Sequence, residues 1–531
     1  MATKQVTGGS EIDERLAALL TNANAVRAIA SAVEGTIGPK GLDTLLVDRF
    51  GEVVITNDGI TILTKMDVNH PAAKMVINTA RAQEEEIGDG TTTATIMAGA
   101  LLSEGVNQAL KGVPVTRIIE GVRFGLNHAI RLMMEHSRPV KGVDEPILRN
   151  VALIAGREHE DIADLVVGAA RLIGEEKLLK DGFKLSDTIM AREGAENTVF
   201  MGVVVDRKRS NEQMPKEVSN AKILIVEDAL EPEEIDEGAL GTEAGFQRYM
   251  ELKEEFRENL EKVVSLGVNV ILLDRGTTDE AEELLVDAGV LLVQRVSSRE
   301  LRKAAEHTGA RPIKRTGLKK PPAEIERCLG HAERVYEDEK LEHIRIIGGK
   351  GKPMATILVG AATEEVVDER ERIAKDAAAS VQAAVRGGVV PGGGAVEMAV
   401  AREIERLRDG VKGMAVYGVD CVIEALKRPL FQIVANAGFN PLEKVGDVMA
   451  AQMREGSDSL GIDCDTGEVR DMLALGVYDP TLVKTHALKA AGEIAEAILR
   501  IDTIIKKKDE TPPGQAADIR EPGDVTAEID L

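Results

Sequence analysis

The sequence contains no tryptophan, and aromatic residues make up only 2% of its 531 residues. It also has no excess of positive charge, because 90 acidic residues outnumber 66 basic ones and give a formal net charge of −24. A chain this acidic is repelled by nucleic-acid backbones and offers few rings on which bases could stack. We therefore expect no nucleic-acid partner.

Long apolar runs are missing as well, since no stretch of about 18 apolar residues is available to span a bilayer. The first ten residues are polar and lack the apolar centre of an export signal. With 44% hydrophobic and 29% charged residues, the composition is close to that of ordinary globular proteins. We expect a cytoplasmic protein with no membrane partner.

Common metal and nucleotide motifs are also absent. The three cysteines, Cys328, Cys421 and Cys464, are far apart, which argues against a disulfide framework or a zinc site. We expect them to be small buried residues. The eight histidines form no HExxH pair, and no GxxxxGK[ST] segment is present, which excludes a P-loop and argues against a transition-metal enzyme.

The chain is too long for a single hydrophobic core, which stops growing at roughly 250–300 residues. The first 135 or so residues predict long helices and one hairpin, with strands at Leu42–Asp48 and Glu52–Thr56 around the turn Arg49–Gly51. From about Glu369 onward, alanine-rich patterns again predict long helices. Residues 509–531 are rich in proline and acids, and we expect them to form a disordered tail.

The middle of the chain has a different pattern. Short apolar runs at Lys222–Glu227, Val268–Leu273 and Val290–Arg295 alternate with predicted helices. Those helices are predicted at Glu251–Ser265, Asp279–Ala288 and Ser298–Thr308. Such alternation is typical of βαβ units, so we predict a separate domain with a largely parallel sheet.

Two glycine-containing loops in the first part of the chain could bring backbone N–H groups close to a phosphate. The first is Thr36–Gly41, at a predicted helix end, and the second is Asn57–Gly59, at the end of the hairpin. Each also has a plain structural explanation, because Gly-Pro ends many helices and Asn-Asp-Gly is a common turn. Both interpretations stay open for these two loops.

The segment Gly88–Thr93 carries a stronger signal. Two glycines, Asp89 and three threonines precede an apolar helix, whose N-terminus offers free N–H groups and a partial positive charge to a polyphosphate. Asp89 would be repelled by phosphate unless it binds a divalent cation between them. Helix capping explains one of these side chains, but three consecutive hydroxyls exceed that need. A fourth glycine-rich loop, Gly387–Gly394, also precedes a predicted helix.

Five motifs occur together in one order and spacing. They are IGPKG at Ile37–Gly41, NDG at Asn57–Gly59, GDGTTT at Gly88–Thr93, PGGGAVE at Pro391–Glu397 and YDP at Tyr478–Pro480. On these motifs the chain resembles the 60-kDa chaperonin superfamily over its whole length apart from the tail. The resemblance is to the archaeal and eukaryotic type, which is group II-like and related to the thermosome.

The resemblance implies a multidomain fold of α plus α/β class. Residues 1–140 and 396–508 would form a helical equatorial ATP-binding domain that includes the small β-hairpin. Residues 141–210 and 360–395 would form a small α/β intermediate hinge domain. Residues 211–359 would form an α/β apical domain that binds substrate and carries a helical protrusion.

The resemblance also implies roles for individual residues, with ATP and Mg²⁺ as cofactors and K⁺ as a further candidate. Asp58 and Asp376 would orient the attacking water, and Asp89 would hold Mg²⁺. The residues expected to contact ATP are Thr36, Ile37, Gly38, Pro39, Asn57, Gly59, Asp89, Gly90, Thr91, Thr92, Thr93, Gly393 and Asp479, the last near the ribose. Phosphoryl transfer fits this division, because it needs positioning and charge neutralisation more than covalent chemistry. From the residues alone, Asp376 could equally lie on an exposed helix face that forms salt bridges, with Arg372 one turn earlier.

The chain departs from the family pattern at Ala155-Gly156-Arg157, where a glycine–lysine pair that senses the nucleotide is usual. Arg157 is therefore a candidate nucleotide sensor with an altered response, because a planar guanidinium and a compact ammonium are not interchangeable.

The segment Glu231–Val264 distinguishes between the types of chaperonin. Phe246, Tyr249 and Phe256 lie within eleven residues of one another, with Met250 between them. Helical spacing favours a core-facing stripe, whereas the many acids favour a face in water. An insertion at this place forms a lid in archaeal and eukaryotic chaperonins, so the resemblance implies a built-in lid at about residues 231–264 and no separate co-chaperonin.

Three functions stay open on the sequence. The first is a folding chaperonin that acts on non-native polypeptides as a homo-oligomeric double ring, which the family implies to have about eight subunits per ring. The second is a phosphotransferase that uses the same loops on a small substrate. The third is a nonhydrolysing structural assembly, which is less attractive because Asp58, Asp89 and Asp376 are all present.

Overall fold

The structure is a computed structural model that describes residues 4–7, 10–12, 15–47, 51, 53–233 and 242–507. Within these ranges the two ends of the chain are mainly helical, and the middle forms a large mixed sheet with helices. Part of the predicted hairpin turn (48–50), part of the predicted lid (234–241) and the predicted tail (509–531) lie outside the described residues.

The helices are numbered in chain order, and none within the described ranges is long and apolar enough to cross a bilayer. They are α1 (Arg15–Glu34), α2 (Gly59–Lys65), α3 (Pro71–Glu86), α4 (Thr91–Leu110), α5 (Val115–Glu135), α6 (Ile147–Ala155), α7 (Glu160–Ile173), α8 (Glu175–Leu178), α9 (Glu243–Ser265), α10 (Asp279–Asp287), α11 (Ser298–Thr308), α12 (Pro322–Glu326), α13 (Val367–Gly387), α14 (Ala395–Arg408), α15 (Val416–Asn436), α16 (Pro441–Glu455) and α17 (Thr481–Leu499).

The strands are numbered in the same way. They are β1 (Lys4–Thr7), β2 (Ser10–Ile12), β3 (Thr44–Val47), β4 (Val53–Thr56), β5 (Ile189–Glu193), β6 (Thr198–Val205), β7 (Glu217–Val226), β8 (Val270–Leu273), β9 (Leu291–Val293), β10 (Gly330–Asp338), β11 (His343–Gly349), β12 (Ala355–Ala361), β13 (Val389–Pro391), β14 (Leu460–Ile462), β15 (Val469–Asp471), β16 (Tyr478–Pro480) and β17 (Ile505–Lys507).

The large sheet has the strand order β5-β12-β6-β11-β10-β7-β8-β9 and is mixed, so the prediction of a largely parallel sheet was wrong. The three predicted strands β7, β8 and β9 do run parallel to one another. Four other neighbouring pairs, however, are antiparallel. The prediction missed β10 and β11 because an antiparallel strand with one solvated face alternates apolar and polar residues instead of forming an apolar run.

Helices from both ends of the chain share one core. Buried apolar side chains of α1 to α5 pack against those of α14, α15 and α17, which begin more than about 250 residues later. In α5 the buried residues Ile118, Val122, Leu126, Ala129 and Met133 recur every three or four positions and form one apolar stripe. This core unites the segments that carry the glycine loops.

Close helix packing replaces bulky aromatic packing in this core. Helices α5 and α15 cross at Gly121 and Gly418, where a Cβ added to Gly121 would lie 1.8 Å from the carbonyl oxygen of Ala415. Only glycine permits so close an approach of two backbones. The low aromatic content of the sequence is thus matched by small residues at a helix crossing.

Four further groups of buried residues are present among the described residues. One combines α6, α7 and α13 with β5 and β12. Two others cover the two faces of the remaining strands of the large sheet, one with α11 and the other with α9 and α10. A small fourth group combines α14, α15, α16 and β14. Of the three free cysteines, only Cys421 is buried, whereas Cys328 and Cys464 are half-buried, which corrects the expectation that all three are buried.

Two chain segments leave the helical core side by side. Arg138 and Val389 exchange backbone hydrogen bonds of 2.8 and 2.9 Å. Next to them, the two ring nitrogens of His136 lie 3.1 Å from Asp458 Oδ2 and 2.9 Å from Glu403 Oε1. The hydrogen bond from His136 holds the pKa of Asp458 at about 2, and the same bond raises the pKa of His136. The interactions of His136 with Asp458 and Glu403 therefore stabilise the place where the chain leaves the helical core.

Candidate functional site

The turn Gly88–Thr93 leads into α4 between two other helices. Gly88 and Gly90 have φ values of 82° and 81°, the left-handed region that favours glycine. A Cβ on Gly88 would lie 2.7 Å from Ala379 of α13, and one on Gly90 would lie 2.7 Å from Val483 of α17. No described side chain caps the N-terminus of α4. Its first N–H groups are therefore available to an anion.

The Asn57–Gly59 turn contacts this helix start directly. A Cβ on Gly59 would lie 2.4 Å from Thr92 Oγ1, so the two turns are packed together. Asp58 caps α2 by accepting hydrogen bonds from Thr61 N at 3.0 Å and Thr61 Oγ1 at 2.6 Å. Among the described residues, the buried Asn57 Oδ1 has no hydrogen-bond partner. The second and third loops thus form one unit with an unpaired acceptor.

The first and fourth loops rest on one face of α15. A Cβ on Gly38 would lie 3.1 Å from Ile433, and one on Gly394 would lie 2.8 Å from Leu430, one turn earlier. Two segments more than about 350 residues apart in sequence are therefore close neighbours.

The other residues of the first loop, Thr36, Ile37 and Pro39, differ in their environments. Thr36 Oγ1 donates to Val33 O at 2.9 Å, and Ile37 O accepts from Asn436 Nδ2 at 2.9 Å. Pro39 is exposed. The loop is thus fixed from both sides by α1 and α15.

Asp479 lies beside the fourth loop. It pairs with Val390 across β16 and β13, and a Cβ on Gly392 would lie 3.0 Å from its carboxyl carbon. The adjacent Gly393 has a φ of 63° and would place a Cβ 3.3 Å from Met472 Sδ. The glycines of this loop therefore allow the chain to approach Asp479 closely.

Sequence reasoning missed a buried cation at this place. Lys484 Nζ lies 2.7 Å from Asp479 Oδ2 and 2.7 Å from Oε1 of the fully buried Glu397. Burial opposes the charge on Lys484, but the two carboxylates outweigh it and raise its pKa. Glu397 belongs to the PGGGAVE motif, yet nothing in the sequence pattern linked it to Lys484.

Asp376 of α13 faces Asp58 across Arg372. Arg372 Nη1 lies 3.4 Å from Asp58 Oδ1 and 3.7 Å from Asp376 Oδ2. Only 16% of the Asp376 side chain is exposed, which does not fit an exposed helix face. Burial raises its pKa well above the ordinary value, with further contributions from the nearby charges of Asp89 and Asp58. The structure therefore brings Asp58, Asp89 and Asp376 into one acidic cluster.

Glu84 is a further member that sequence reasoning did not single out. Burial, with Asp58 and Asp89 nearby, raises its pKa to about 7. The only sequence signal is its place one turn before the GDGTTT motif. Asp479 is also close enough to Asp89 for its negative charge to act on the Asp89 carboxylate, so it is a fifth member of the cluster. Five carboxylates thus converge on a region with two cations, the half-buried Arg372 and the buried Lys484.

This excess of negative charge fits a divalent cation that arrives with its own ligands. In the part of the chain that the structure describes, no three His, Cys, Asp or Glu side chains are placed to hold a metal ion by themselves. Mg²⁺ is usually bound by one or two carboxylates together with phosphate oxygens and water. The residues present therefore suit Mg²⁺ bound to a phosphate ligand.

Arg157 lies outside the cluster but is linked to it. It has a φ of 52°, and its Nη1 donates to Glu369 Oε1 at 2.9 Å. Glu369 in turn pairs with Arg372. Arg157 is thus connected through two successive ion pairs to Arg372, which itself pairs with Asp58 and Asp376.

The predicted lid residues lie elsewhere, on α9. Phe246 and Met250 are 59% and 51% exposed, whereas Tyr249 and Phe256 are half-buried. Phe256 packs against the core on one face of the large sheet. The aromatic stripe of this helix is therefore divided between solvent and core.

A solved structure described as "Crystal structure of group III chaperonin in the open state" superimposes on the chain with a TM-score of 0.86. The two are 49% identical, and the match covers 92% of this chain and 99% of the other. The fold is therefore the multidomain chaperonin fold of helices and mixed sheets.

The family model described as "TCP-1/cpn60 chaperonin family" matches residues 29–509, and the chain belongs to this family. It is 36% identical over 509 residues to a thermosome subunit of Methanopyrus kandleri, covering 92% of each chain. It is 37% identical over 510 residues to thermosome subunit beta of Archaeoglobus fulgidus, covering 92% of this chain and 91% of the relative. The resemblance inferred from the five motifs is confirmed.

The buried Lys484 provides a test of this arrangement. We expect Lys484→Met to lower the free energy of unfolding by about 3–5 kcal/mol, because Glu397 and Asp479 then remain as unpaired buried charges. Urea unfolding followed by circular dichroism measures the change. Lys489→Met is the matched control, since Lys489 is 64% exposed in the same helix and only reaches Glu493 at 4.0 Å. Equal stability of the two variants would contradict the expectation.

Proposed function

We propose that the chain is a subunit of an ATP-driven protein-folding chaperonin, a homo-oligomeric double ring of about eight subunits per ring that closes with a built-in lid. The observation that carries the proposal is that Asp58, Asp89 and Asp376 form one cluster, while the remote glycine loops meet in two pairs, the second with the third and the first with the fourth. A site of this kind suits a magnesium-bound nucleoside triphosphate.

In this proposal the core built from both chain ends is the equatorial domain, residues 1–140 and 396–508. Residues 141–210 and 360–395 form the intermediate hinge domain, and residues 211–359 form the apical domain. The grouping of buried residues supports this division in outline, because α6, α7 and α13 share a core with β5 and β12 at one end of the large sheet, whereas two other cores cover its remaining strands.

The positions of the groups support a binding role for each of them. The first N–H groups of α4, with Thr91, Thr92 and Thr93, receive phosphate oxygens, and Asp89 holds Mg²⁺, with K⁺ a further candidate cation near the same loops. When bound, Mg²⁺ neutralises charge on the β- and γ-phosphates. Gly393 and Asp479 lie on the adenosine side, with Lys484 holding the Asp479 carboxylate.

Asp58 and Asp376 orient the attacking water, and Arg372 between them limits their mutual repulsion. They belong to different groups of buried residues, since Asp58 caps α2 and Asp376 lies in α13. The distance between Asp58 and Asp376 therefore depends on the position of α2 relative to α13. A cavity of about 630 Å³ adjoins the site, with Glu84, Gly88, Lys184, Asp206, Ser297 and Lys375 in its lining. Movement around this cavity would couple hydrolysis to a change of shape.

An ATPase assay of Asp376→Ala tests this division of labour. We expect turnover to fall by about 100-fold or more because the water loses one of its two acceptors, while ATP affinity changes by less than about threefold. Asp368→Ala is the control, since Asp368 is exposed at the start of the same helix. Unchanged turnover in Asp376→Ala would remove Asp376 from the mechanism, and a wild-type requirement for a small phosphate acceptor would favour a phosphotransferase.

Ring assembly is supported by an apolar face of the β3–β4 hairpin. Leu45 pairs with Ile55 and Val47 with Val53, so the four side chains share one face of the hairpin. Their exposures are 58%, 60%, 60% and 53% for Leu45, Ile55, Val47 and Val53. An exposed apolar strand pair of this kind is suited to pairing with a second chain. We propose a second copy of this chain as its partner.

The double variant Leu45→Glu/Ile55→Glu tests assembly. We expect light scattering to show a particle of many subunits for the wild type and a much smaller species for the variant, because two charges would be buried at the contact. Leu172→Glu, a 49% exposed leucine on α7, serves as control and should leave the particle intact. A full-sized particle in the double variant would exclude the hairpin as an assembly contact.

Helix α9 supplies the proposed lid and substrate contact. Phe246 and Met250 are four residues apart and exposed, so they form one apolar patch next to the residues outside the described ranges. Such a patch suits non-native polypeptides, which expose apolar side chains. Half-buried Phe256 anchors the same helix to the sheet.

Phe246→Ser/Met250→Ser tests the lid. We expect protease-protected substrate to disappear because the apolar patch is lost, while ATP turnover stays within about twofold, since the patch is not part of the nucleotide site. Arg248→Ser on the same helix removes only an exposed ion pair with Glu251 and should retain protection. Retained protection in the double variant would refute a built-in lid at this helix.

A further inference from the structure

Helix α13 carries a polar residue where its sequence is otherwise apolar. Ser380 follows three buried alanines, Ala377 to Ala379, and precedes the buried Val381. Its own exposure is 0%. A buried hydroxyl needs a hydrogen-bond partner, and in a helix interior the usual one is the carbonyl oxygen of the preceding turn. Ser380 instead donates to Oδ2 of Asp89, which lies 291 residues earlier in the sequence.

The Asp89 carboxylate is thus held at both oxygens. Oδ1 accepts a hydrogen bond from Gly90 N at 2.5 Å, and Oδ2 accepts the one from Ser380. The backbone is held as well, because Gln83 Nε2 donates to Asp89 O at 2.7 Å. The same turn also packs closely against α13, because a Cβ on Gly88 would lie 2.7 Å from Ala379. The direction of the Asp89 carboxylate therefore depends on α13 as well as on its own turn.

The chemical nature of Ser380 suits this place. Asp89 is surrounded by Asp376, Asp479 and Glu84, so its carboxylate needs a donor to remain in position. A lysine or arginine at position 380 could also donate a hydrogen bond to the Asp89 carboxylate, but its positive charge would compete with an incoming cation. A hydroxyl donates one hydrogen bond without charge and leaves the remaining lone pairs of the carboxylate free for a metal.

We propose that Ser380 is a positioning residue for the divalent cation: it holds the Asp89 carboxylate in the orientation that receives the metal and ties this orientation to α13. The inference rests on the proposed function. Asp376 lies one turn before Ser380, so the two residues share one face of the helix. Helix α13 would therefore orient the metal ligand Asp89 through Ser380 and also supply Asp376, which orients the attacking water.

Titration of nucleotide binding with Mg²⁺ tests the inference without measuring turnover. Calorimetry with ATP is carried out on the assembled protein at increasing Mg²⁺ and again in excess chelator. We expect Ser380→Ala to raise the Mg²⁺ concentration for half-maximal binding about 10-fold, because loss of a partner that orients a metal ligand typically costs about 10–100-fold in metal affinity. Binding of metal-free ATP should change by less than about twofold, and Ser380→Thr should restore the Mg²⁺ dependence.

Thr485→Ala is the matched control. Thr485 is also a buried helical hydroxyl, but it donates to Thr481 O at 3.0 Å within its own helix. Its removal should leave the Mg²⁺ dependence unchanged. If Ser380→Ala does not assemble, Ser380→Cys gives the same test, since a thiol is similar in size but a weak donor.

The possible results separate the two hypotheses. An unchanged Mg²⁺ dependence in Ser380→Ala, or an equal loss of metal-free and metal-dependent binding, overturns the positioning role. Absence of Mg²⁺-dependent ATP binding in the wild type overturns the proposed function itself.

Discussion

Repulsion between buried carboxylates is the constraint on which this structure depends. Asp58, Asp89 and Asp376 come from segments that do not attract one another. The charged form of each carboxylate is more stable in water than beside the other two. They are kept together by Arg372, by hydrogen bonds from backbone and hydroxyl donors and by the cores behind them. Placing these three carboxylates close together therefore costs stability locally.

The surrounding helices supply the rigidity that this repulsion requires. With few aromatic residues, the helical core relies on close backbone contacts such as the one between Gly121 and Gly418. Small side chains at a crossing leave little room for rearrangement, because overpacking is as costly as a cavity. The first and fourth glycine loops are held by the same means, with Gly38 and Gly394 against one face of α15.

The sequence could reveal the parts of the site that need special residues. A positive φ and close packing of the backbone favour glycine, so the loops at Gly38, Gly90 and Gly393 were recognisable in the sequence. Lys484 and Ser380 were not recognisable, and Glu84 was marked only by its position before the GDGTTT motif, because each of these helical residues depends on partners that are remote in sequence or known only from the fold. The same reason explains the fold: apolar parallel strands were predictable, whereas β10 and β11 depend on their neighbours for recognition.

The shared core of the two chain ends has a consequence for synthesis on the ribosome. Helices α1 to α5 emerge first but bury their apolar faces against α14, α15 and α17, which follow about 250 residues later. At roughly 5–20 residues per second this delay is about 10–50 s. During that time the middle of the chain can already fold, while the first helices still expose their apolar stripes. A newly synthesised chain of this protein therefore passes through a stage in which its exposed apolar helices can aggregate.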